Sequence, residues 1–215
     1  MKKAIIVPIK TNNQRLPGKN TMMLGDKPLH NHLFEEIRKL KNIEIYVDSS
    51  DELILAIATS WGFKTIKRPT FLNSAKTSGN DLIFHALKHI DCDILGQFFV
   101  TTPFIKKETI LKSFQILEKN KAATSCFGLY PVYDRFWIDN LPVNHTPNSL
   151  VGTQYMSPLM RESGFYVFKK ENFLNEYSRI TKDYVTFKVN ERECIDIDTI
   201  DDFVYAKSIY ESGLL

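Results

Sequence analysis

Short apolar runs rich in β-branched residues alternate with segments of helical periodicity, and this alternation limits the fold more than any other feature of the sequence. Residues 4–9 form one continuous apolar run, whereas residues 28–40 carry Leu or Ile every three or four positions. Such an alternation is typical of βαβ units, whose parallel strands are covered by helices on both faces. We therefore expect an α/β fold with a Rossmann-like, mainly parallel sheet and helices on both of its faces.

The same criteria assign elements to most of the chain. Strands are expected at residues 4–9, 43–47, 63–66, 94–101, 122–129, 164–168 and 185–189. Helices are expected at residues 28–40, 51–61, 80–90, 107–120, 170–174 and 201–210. The periodicity fails over residues 130–154, and a loop of this length is typical of a lid, a binding loop or an oligomer arm.

Composition and charge exclude several classes of protein. The 215 residues include 28 Lys and Arg against 25 Asp and Glu, so the net charge is +3, and the two signs are interleaved. This pattern argues against a nucleic-acid partner, and no apolar run approaches the ~20 residues of a membrane span. The apolar stretch at the N-terminus stops at Pro8, which is too short for a signal peptide. We expect one domain over residues 1–215 and no membrane partner.

The cysteines and histidines are not expected to bind a metal. The three cysteines are odd in number, widely spaced and without a CxxC pair. This usage favours free thiols in an intracellular protein, with the cytoplasm as its expected location. His30 and His32 point in different directions on a helix, so we expect them to lie on the surface or to cap the helix.

The loop after the first strand, residues 8–20, is the most informative segment. Ligands bind beyond the carboxyl ends of strands in α/β sheets, and this loop leaves the first strand. It contains the cations Lys10, Arg15 and Lys19, together with Gly18. Converging cations suit a triphosphate, although the loop has neither the GxxxxGK[ST] nor the GxGxxG motif, and a solvated basic surface is the alternative interpretation.

A second polar motif, residues 195–199 (IDIDT), lies near the C-terminus. If this segment is a strand, Asp196 and Asp198 point to the same face, because residues two apart in a strand share a side. Paired carboxylates suit Mg²⁺, which binds one or two carboxylates together with substrate phosphates. The alternative is that one of the two aspartates caps the helix that follows.

The two motifs, together with several others in the same order, resemble a known family. Residues 8–20 resemble the loop P-A-R-x-x-S-K-x-L-P-x-K-N of the cytidylyltransferases that activate sialic acid and related nonulosonic acids, whose close kin are the Kdo cytidylyltransferases. Further similar segments are residues 47–52, 68–69, 78–87, 100–104, 164–167 and 196–202. The resemblance therefore extends over nearly the whole chain.

This resemblance implies a cytidylyltransferase domain of the nucleotide-diphospho-sugar transferase type. Such a domain transfers CMP from CTP to an acidic sugar, releases pyrophosphate, uses Mg²⁺ and serves the synthesis of surface glycans. It implies in addition a homodimer, with a small inserted dimerisation and acceptor element at about residues 130–161.

The resemblance also implies roles for individual residues. The expected catalytic residues are Lys10, Arg15, Lys19 and Asp198. The expected nucleotide-binding residues are Pro8, Lys10, Asn12, Lys19, Asn20, Arg68 and Ser78. The expected acceptor-binding residues are Phe99, Thr101, Thr102, Arg135 and Tyr155, and the expected metal ligands are Asp196 and Asp198.

Departures from the family pattern leave alternatives open. Lys10 replaces an Arg, and Phe99 replaces a Gln that touches the acceptor in the family. An acceptor other than N-acetylneuraminate, Kdo-like or smaller, is therefore one alternative, and a catalytically silent nucleotide-binding homologue is another. A sugar transferase that binds a nucleotide sugar through residues 196–198 is a third, although that motif normally follows a middle strand.

Overall fold

The computed structural model describes residues 1–10, 13 and 15–213, and one mixed sheet of eight strands dominates this part of the chain. The strands are β1 (Lys3–Pro8), β2 (Met23–Leu24), β3 (Lys27–Pro28), β4 (Glu44–Ser49), β5 (Lys64–Lys67), β6 (Ile94–Phe98), β7 (Ser125–Val132), β8 (Trp137–Ile138), β9 (Leu141–Pro142), β10 (Leu159–Glu162), β11 (Phe165–Lys169) and β12 (Tyr184–Lys188). The helices are α1 (Leu29–Arg38), α2 (Glu52–Ser60), α3 (Gly79–Ala86), α4 (Lys107–Lys119), α5 (Lys170–Glu176) and α6 (Ile200–Glu211). The remaining short strands form two separate hairpins, β2–β3 and β8–β9.

The order of the strands in the sheet is β10-β7-β11-β6-β1-β4-β5, and β12 pairs with β7. The β6-β1-β4-β5 half is parallel, with Ile5 opposite Ile45 on one side and Gly96 on the other. Strand β11 lies antiparallel between β6 and β7. The mainly parallel sheet expected from the sequence is therefore confirmed, with antiparallel strands added on the β7 side.

Helices cover both faces of the sheet, and the side chains of β1 are therefore buried on both sides. Ile5 and Val7 belong to one apolar cluster, which α1, α2 and α4 complete, whereas Ala4 and Ile6 belong to a second cluster, which α3 and α5 complete. Burying each large apolar side chain contributes about 1.5–3 kcal/mol, so these two layers supply most of the stabilisation. No helix among the described residues is long and apolar enough to cross a membrane.

Two sequence expectations about strands need correction. Strand β6 ends at Phe98 rather than at residue 101, because the carbonyl oxygen of Phe99 accepts hydrogen bonds from the Thr102 amide and hydroxyl and turns the chain. The segment 130–154 is not without structure: β7 continues to Val132, and the β8–β9 hairpin turns at Asp139 and Asn140. Both turn residues have positive φ (47° and 64°), as a tight hairpin turn requires.

The surface or capping role expected for His30 and His32 is wrong, because both residues are buried in α1. The Nδ1 atom of His30 lies 3.1 Å from the carbonyl oxygen of Asn20, and the Nε2 atom of His32 lies 2.9 Å from that of Leu24. These contacts join α1 to the chain that follows β1. The thiols of Cys92, Cys126 and Cys194 are free and buried, as expected.

Candidate active site

A cavity of about 320 Å³ opens at the carboxyl ends of β1 and β6, the edge at which α/β sheets bind their ligands. Its wall consists of Pro8, Lys10, Asn13, Arg15, Lys19, Asn20, Phe99, Val100, Thr101, Gly164, Tyr166, Arg179, Asp196 and Asp198. A second cavity of about 310 Å³ adjoins it and shares the cations of the first loop. Ser74, Ala75 and Thr77 line only this second cavity. The two cavities form one cleft, and Lys10, Arg15 and Lys19 line the part that they share.

Hydrogen bonds fix the described part of the loop after β1 against the sheet. Gly18 has a φ of 70°, a left-handed conformation that favours glycine, and starts the 3₁₀ turn Lys19–Thr21. The side-chain amide of Asn20 donates to the carbonyl oxygen of Lys10 at 2.5 Å, and His30 contacts the Asn20 carbonyl from the other side. The side-chain oxygen of Asn20 is buried and has no hydrogen-bond partner among the described residues.

The charges of the cavity meet at Asp198. Its Oδ1 atom lies 2.7 Å from Lys19 Nζ and 2.7 Å from a terminal guanidinium nitrogen of Arg15. Lys19 is buried and also donates to the carbonyl oxygen of Ile197 at 2.9 Å. Lys10 lines both cavities and has no ion pair with any described residue. Arg15 and Lys19 thus share a single carboxylate, which leaves the pair with a net positive charge, and Lys10 adds a second cation that no described carboxylate contacts.

The segment that carries the two aspartates is extended but is not a strand, which corrects the sequence expectation. Ile195 and Ile197 are buried against the apolar cluster around α6, and the Ile197 amide donates to the carbonyl oxygen of Thr101 at 2.8 Å. This alternation still directs Asp196 and Asp198 into the cavity. The capping alternative is not observed, because Thr199 caps α6 in a capping box with Asp202.

The environment of Asp196 disfavours its negative charge. Removal from bulk water raises the pKa of Asp196, and the neighbouring charge of Asp198 raises it further. A hydrogen bond from the Thr101 side chain and the charges of Lys19 and Arg15 act in the opposite direction. A cation bound beside Asp196 would stabilise its ionised form.

The donor set fits a divalent metal ion only together with substrate oxygens. Asp196 and Asp198 are the carboxylates of the cavity wall, and no group of three Asp, Glu, His or Cys residues within the described ranges could hold a metal. Mg²⁺ commonly binds through one or two carboxylates, substrate phosphates and water, so two carboxylates are sufficient. Cytidylyltransferases commonly use a divalent metal ion.

Several predicted residues lie away from the cavity wall. Arg68 is buried and forms an ion pair with Asp48, whose Oδ2 atom lies 2.7 Å from its guanidinium. Ser78 caps α3, and Thr102 is buried. Arg135 donates a hydrogen bond to the Val151 carbonyl, and Tyr155 is 79% exposed. Asn12 lies outside the described residues. Their roles in binding stay predictions.

The sequence analysis missed five residues of the cavity wall, namely Asn13, Val100, Gly164, Tyr166 and Arg179. Tyr166 and Gly164 lie in the segment 164–167, which the sequence analysis marked as similar to the family, so their positions were indicated although no role was assigned to them. No motif marked Arg179, which follows α5 in an irregular segment. Its place at the cavity is decided by tertiary contacts alone.

A mainly parallel α/β sheet that presents a basic loop opposite paired carboxylates has the arrangement expected of a nucleotide-binding transferase. A family model described as cytidylyltransferase matches residues 4–213. The chain belongs to the cytidylyltransferase family, and the recognition made from its motifs is confirmed.

The names of similar proteins state that they act on acidic sugars. The chain is 26% identical to an N-acylneuraminate cytidylyltransferase of Escherichia coli O18:K1:H7 over 96% of its own length and 51% of the relative's. It is 23% identical to a pseudaminic acid cytidylyltransferase of Campylobacter jejuni over 98% and 97% of the two lengths. The chain thus spans about half of the first relative and nearly all of the second.

The fold has close counterparts among solved structures. A CMP:2-keto-3-deoxy-manno-octonic acid synthetase complexed with CTP superimposes with a TM-score of 0.75 at 16% identity, covering 98% of this chain and 99% of the other. At this identity the similarity establishes the fold alone.

Proposed function

We propose that this protein transfers CMP from CTP to an acidic sugar of the sialic acid-like nonulosonic class and releases pyrophosphate, in the synthesis of surface glycans. The observation that carries the proposal is the meeting of Lys10, Arg15 and Lys19 with Asp196 and Asp198 around one cavity at the carboxyl ends of β1 and β6. The membership of the chain in the cytidylyltransferase family supports nucleotidyl transfer as the reaction of this site.

In the proposed reaction a hydroxyl oxygen of the acceptor forms a bond to the α-phosphorus of CTP. The bond from that phosphorus to the oxygen bridging to the β-phosphate breaks, pyrophosphate leaves with the electron pair, and the hydroxyl proton passes to water. Lys10 and Arg15 neutralise the phosphate oxygens on which negative charge accumulates. Lys19 is held by the Asp198 carboxylate and the Ile197 carbonyl, and it keeps the loop in the geometry that this neutralisation needs.

We assign the divalent metal as Mg²⁺, with Asp196 and Asp198 as its protein ligands. When bound, the metal supplies positive charge that stabilises the phosphate oxygens during the transfer. The raised pKa of Asp196 supports this assignment, because a carboxylate disfavoured by its surroundings gains most from a cation.

The acceptor class follows from the relatives, and the cavity wall restricts it. The named acceptors are N-acylneuraminate and pseudaminic acid, and the similar fold belongs to a 3-deoxy-manno-octulosonate enzyme. Phe99 lines the cavity where the family has a Gln, so an apolar surface faces the acceptor. This observation favours a second candidate in the same class of reaction, a different acidic acceptor.

Pyrophosphate release is the direct test. The purified protein is incubated with CTP, MgCl₂ and, separately, N-acetylneuraminate, pseudaminate and 3-deoxy-manno-octulosonate, and products are identified by mass spectrometry. We expect pyrophosphate and a CMP-sugar with one acid, and no product when EDTA is present. CTP binding without product from any of the three acids would contradict the proposal, and a wider panel of acids would then separate a different acidic acceptor from a silent nucleotide-binding homologue.

We propose that the protein is a homodimer and that the segment 130–161 makes the contact. This segment exposes large apolar side chains, with Ile138 64% and Leu141 69% exposed at the tip of the β8–β9 hairpin. Apolar groups concentrated on one projecting element favour burial against a second surface. The single domain over residues 1–215 and the cytoplasmic location stay predictions.

A further inference from the structure

Arg179 is a cation of the cavity wall that is held by neutral groups. Its Nη1 atom donates to the side-chain oxygen of Gln97 at 2.9 Å, and its guanidinium carbon lies 4.2 Å from the centre of the Tyr166 ring. Gln97 and Tyr166 are directly opposite in the β6–β11 pair, so both contacts come from one face of the sheet. The hydrogen bond to Gln97 holds one edge of the guanidinium, and the ring of Tyr166 covers one of its flat faces.

The positive charge of Arg179 is not neutralised by any described carboxylate. Arg15 and Lys19 both contact Asp198, whereas Arg179 has no oxygen of an acidic residue within 4 Å among the described residues. A planar guanidinium has five N–H donors, and one of them is used for Gln97. The remaining donors suit a carboxylate, which such a group binds through two parallel hydrogen bonds.

The surroundings of Arg179 are built to hold it in this place. Gln97 is completely buried inside the sheet, and its side-chain nitrogen has no partner among the described residues. Gly79, the first residue of α3, leaves space for the guanidinium: a Cβ atom there would lie 2.4 Å from Arg179 Nη1. Burial of a polar side chain is costly unless it is hydrogen-bonded, and the hydrogen bond from Arg179 satisfies the side-chain oxygen of Gln97.

The position of Arg179 separates it from the phosphate-binding cations. Lys10, Arg15 and Lys19 line both cavities of the cleft, whereas Arg179 lines only the first, where it lies over the ring of Tyr166. An extended nucleotide placed along the basic loop would leave this side of the first cavity to the second substrate.

We propose that Arg179 binds the carboxylate of the acceptor and is the residue by which the protein selects an acid, with Gln97 as a positioning residue. The inference rests on the proposed function, because it names a contact of the acceptor in that reaction. It extends the function by assigning the acidic group of the acceptor to one side chain, which no motif of the sequence indicated.

The test compares Arg179→Gln with the control Arg38→Gln, since Arg38 also lies over an aromatic ring but outside the cavity. KM is measured for the acid and for CTP, and the acid is compared with its neutral carboxamide. Arg179→Gln should raise KM for the acid about 10- to 100-fold, leave KM for CTP unchanged and abolish the preference for acid over carboxamide. Thermal unfolding verifies that both variants fold.

A second variant changes the position of Arg179 without removing it. Gly79→Ala should push the guanidinium away from Gln97 and raise KM for the acid by a smaller factor, again without an effect on CTP. An increase of KM for CTP in Arg179→Gln would overturn the inference and assign Arg179 to the phosphates. Unchanged constants would overturn it as well, since they would leave Arg179 a structural role only.

Direct binding separates this inference from the proposed function. Saturation-transfer NMR measures binding of N-acetylneuraminate, pseudaminate and 3-deoxy-manno-octulosonate to the wild-type protein and to Arg179→Gln, without any need for turnover. Binding that the substitution abolishes supports the inference even if no pyrophosphate is formed. Absence of binding to the wild-type protein, or equal binding to both proteins, overturns it.

Discussion

Asp198 connects the two charged motifs, because its Oδ1 atom accepts from Lys19 and Arg15 at 2.7 Å each. The carboxylate therefore holds Arg15 and Lys19 of the loop after β1, and it is also an expected metal ligand. Lys10, in contrast, makes no ion pair with a described residue. Substitution of Asp198 therefore tests a charge that contacts other residues of the site. Substitution of Lys10 tests a charge that is free to contact a ligand.

Asp198→Asn should lower the rate of pyrophosphate release about 100-fold or more, because it removes the negative charge that contacts Arg15 and Lys19 and that we propose as a metal ligand. The fold should persist, since Asn can still accept hydrogen bonds from Lys19. Asp201→Asn, on the exposed first turn of α6, is the matched control. Near-normal rates of Asp198→Asn would contradict the metal assignment.

Lys10→Ala should reduce the rate about 10- to 100-fold while changing the free energy of unfolding by less than about 0.5 kcal/mol. The reason is that Lys10 has no described ion partner to lose. Kinetics and urea unfolding are compared with Lys41→Ala, an exposed lysine outside the cleft. An unchanged rate would remove the loop from the proposed mechanism.

Arg68→Met should destabilise the protein by about 3–5 kcal/mol, because it leaves the buried carboxylate of Asp48 without its cation. The neighbouring Lys67→Ala removes an exposed ion pair and should cost under about 1 kcal/mol. Urea unfolding measures both. Undiminished stability of Arg68→Met with an increased KM for CTP would instead support the nucleotide-binding role that the resemblance implies.

At the scale of elements, two buried histidines join α1 to the end of the loop after β1 and to β2. Burial lowers the pKa of His30 and of His32, while their hydrogen bonds to the Asn20 and Leu24 carbonyls act in the opposite direction. The folded protein therefore binds these protons less readily than the unfolded chain. The contribution to stability is present above the unfolded pKa of about 6.5 and is lost as pH falls toward the lower folded pKa.

The free energy of unfolding should accordingly decrease as pH falls below about 6.5, by at most about 1.4 kcal/mol per pH unit for each histidine. The double variant His30→Asn and His32→Gln keeps a donor near each carbonyl and should flatten this dependence. Urea unfolding at several pH values measures it, with His89→Gln as an exposed control. An equally steep dependence in the double variant would assign it to other groups.

At the scale of the whole molecule, the site joins parts of the chain that are distant in sequence, since Lys19 and Asp198 are 179 residues apart. The parallel sheet brings them together, because the basic loop follows the carboxyl end of β1 and the aspartate segment lies at the same edge of the sheet. The chain after β6 binds this segment there through the hydrogen bond from the Ile197 amide to the Thr101 carbonyl. The segment 130–161 lies outside this arrangement and projects its apolar hairpin.

If this hairpin forms the dimer contact, the double variant Ile138→Asp and Leu141→Asp should convert a dimer to a monomer in sedimentation velocity, because two charges would be buried without partners. Both side chains are exposed, so the fold of the subunit should be retained. Leu53→Asp, at an equally exposed leucine of α2, is the control. A wild-type monomer would contradict the proposal.

The sequence by itself determined the α/β fold, the order of most elements and the two charged motifs, because apolar periodicity and local residue chemistry are properties of neighbouring residues. Only the tertiary structure decided that His30 and His32 are buried, that Arg68 pairs with Asp48, and that Arg179 lines the cavity. These outcomes depend on contacts between distant segments, whose geometry no local pattern records. A cation looks the same in the sequence whether it meets a buried carboxylate or an open cavity.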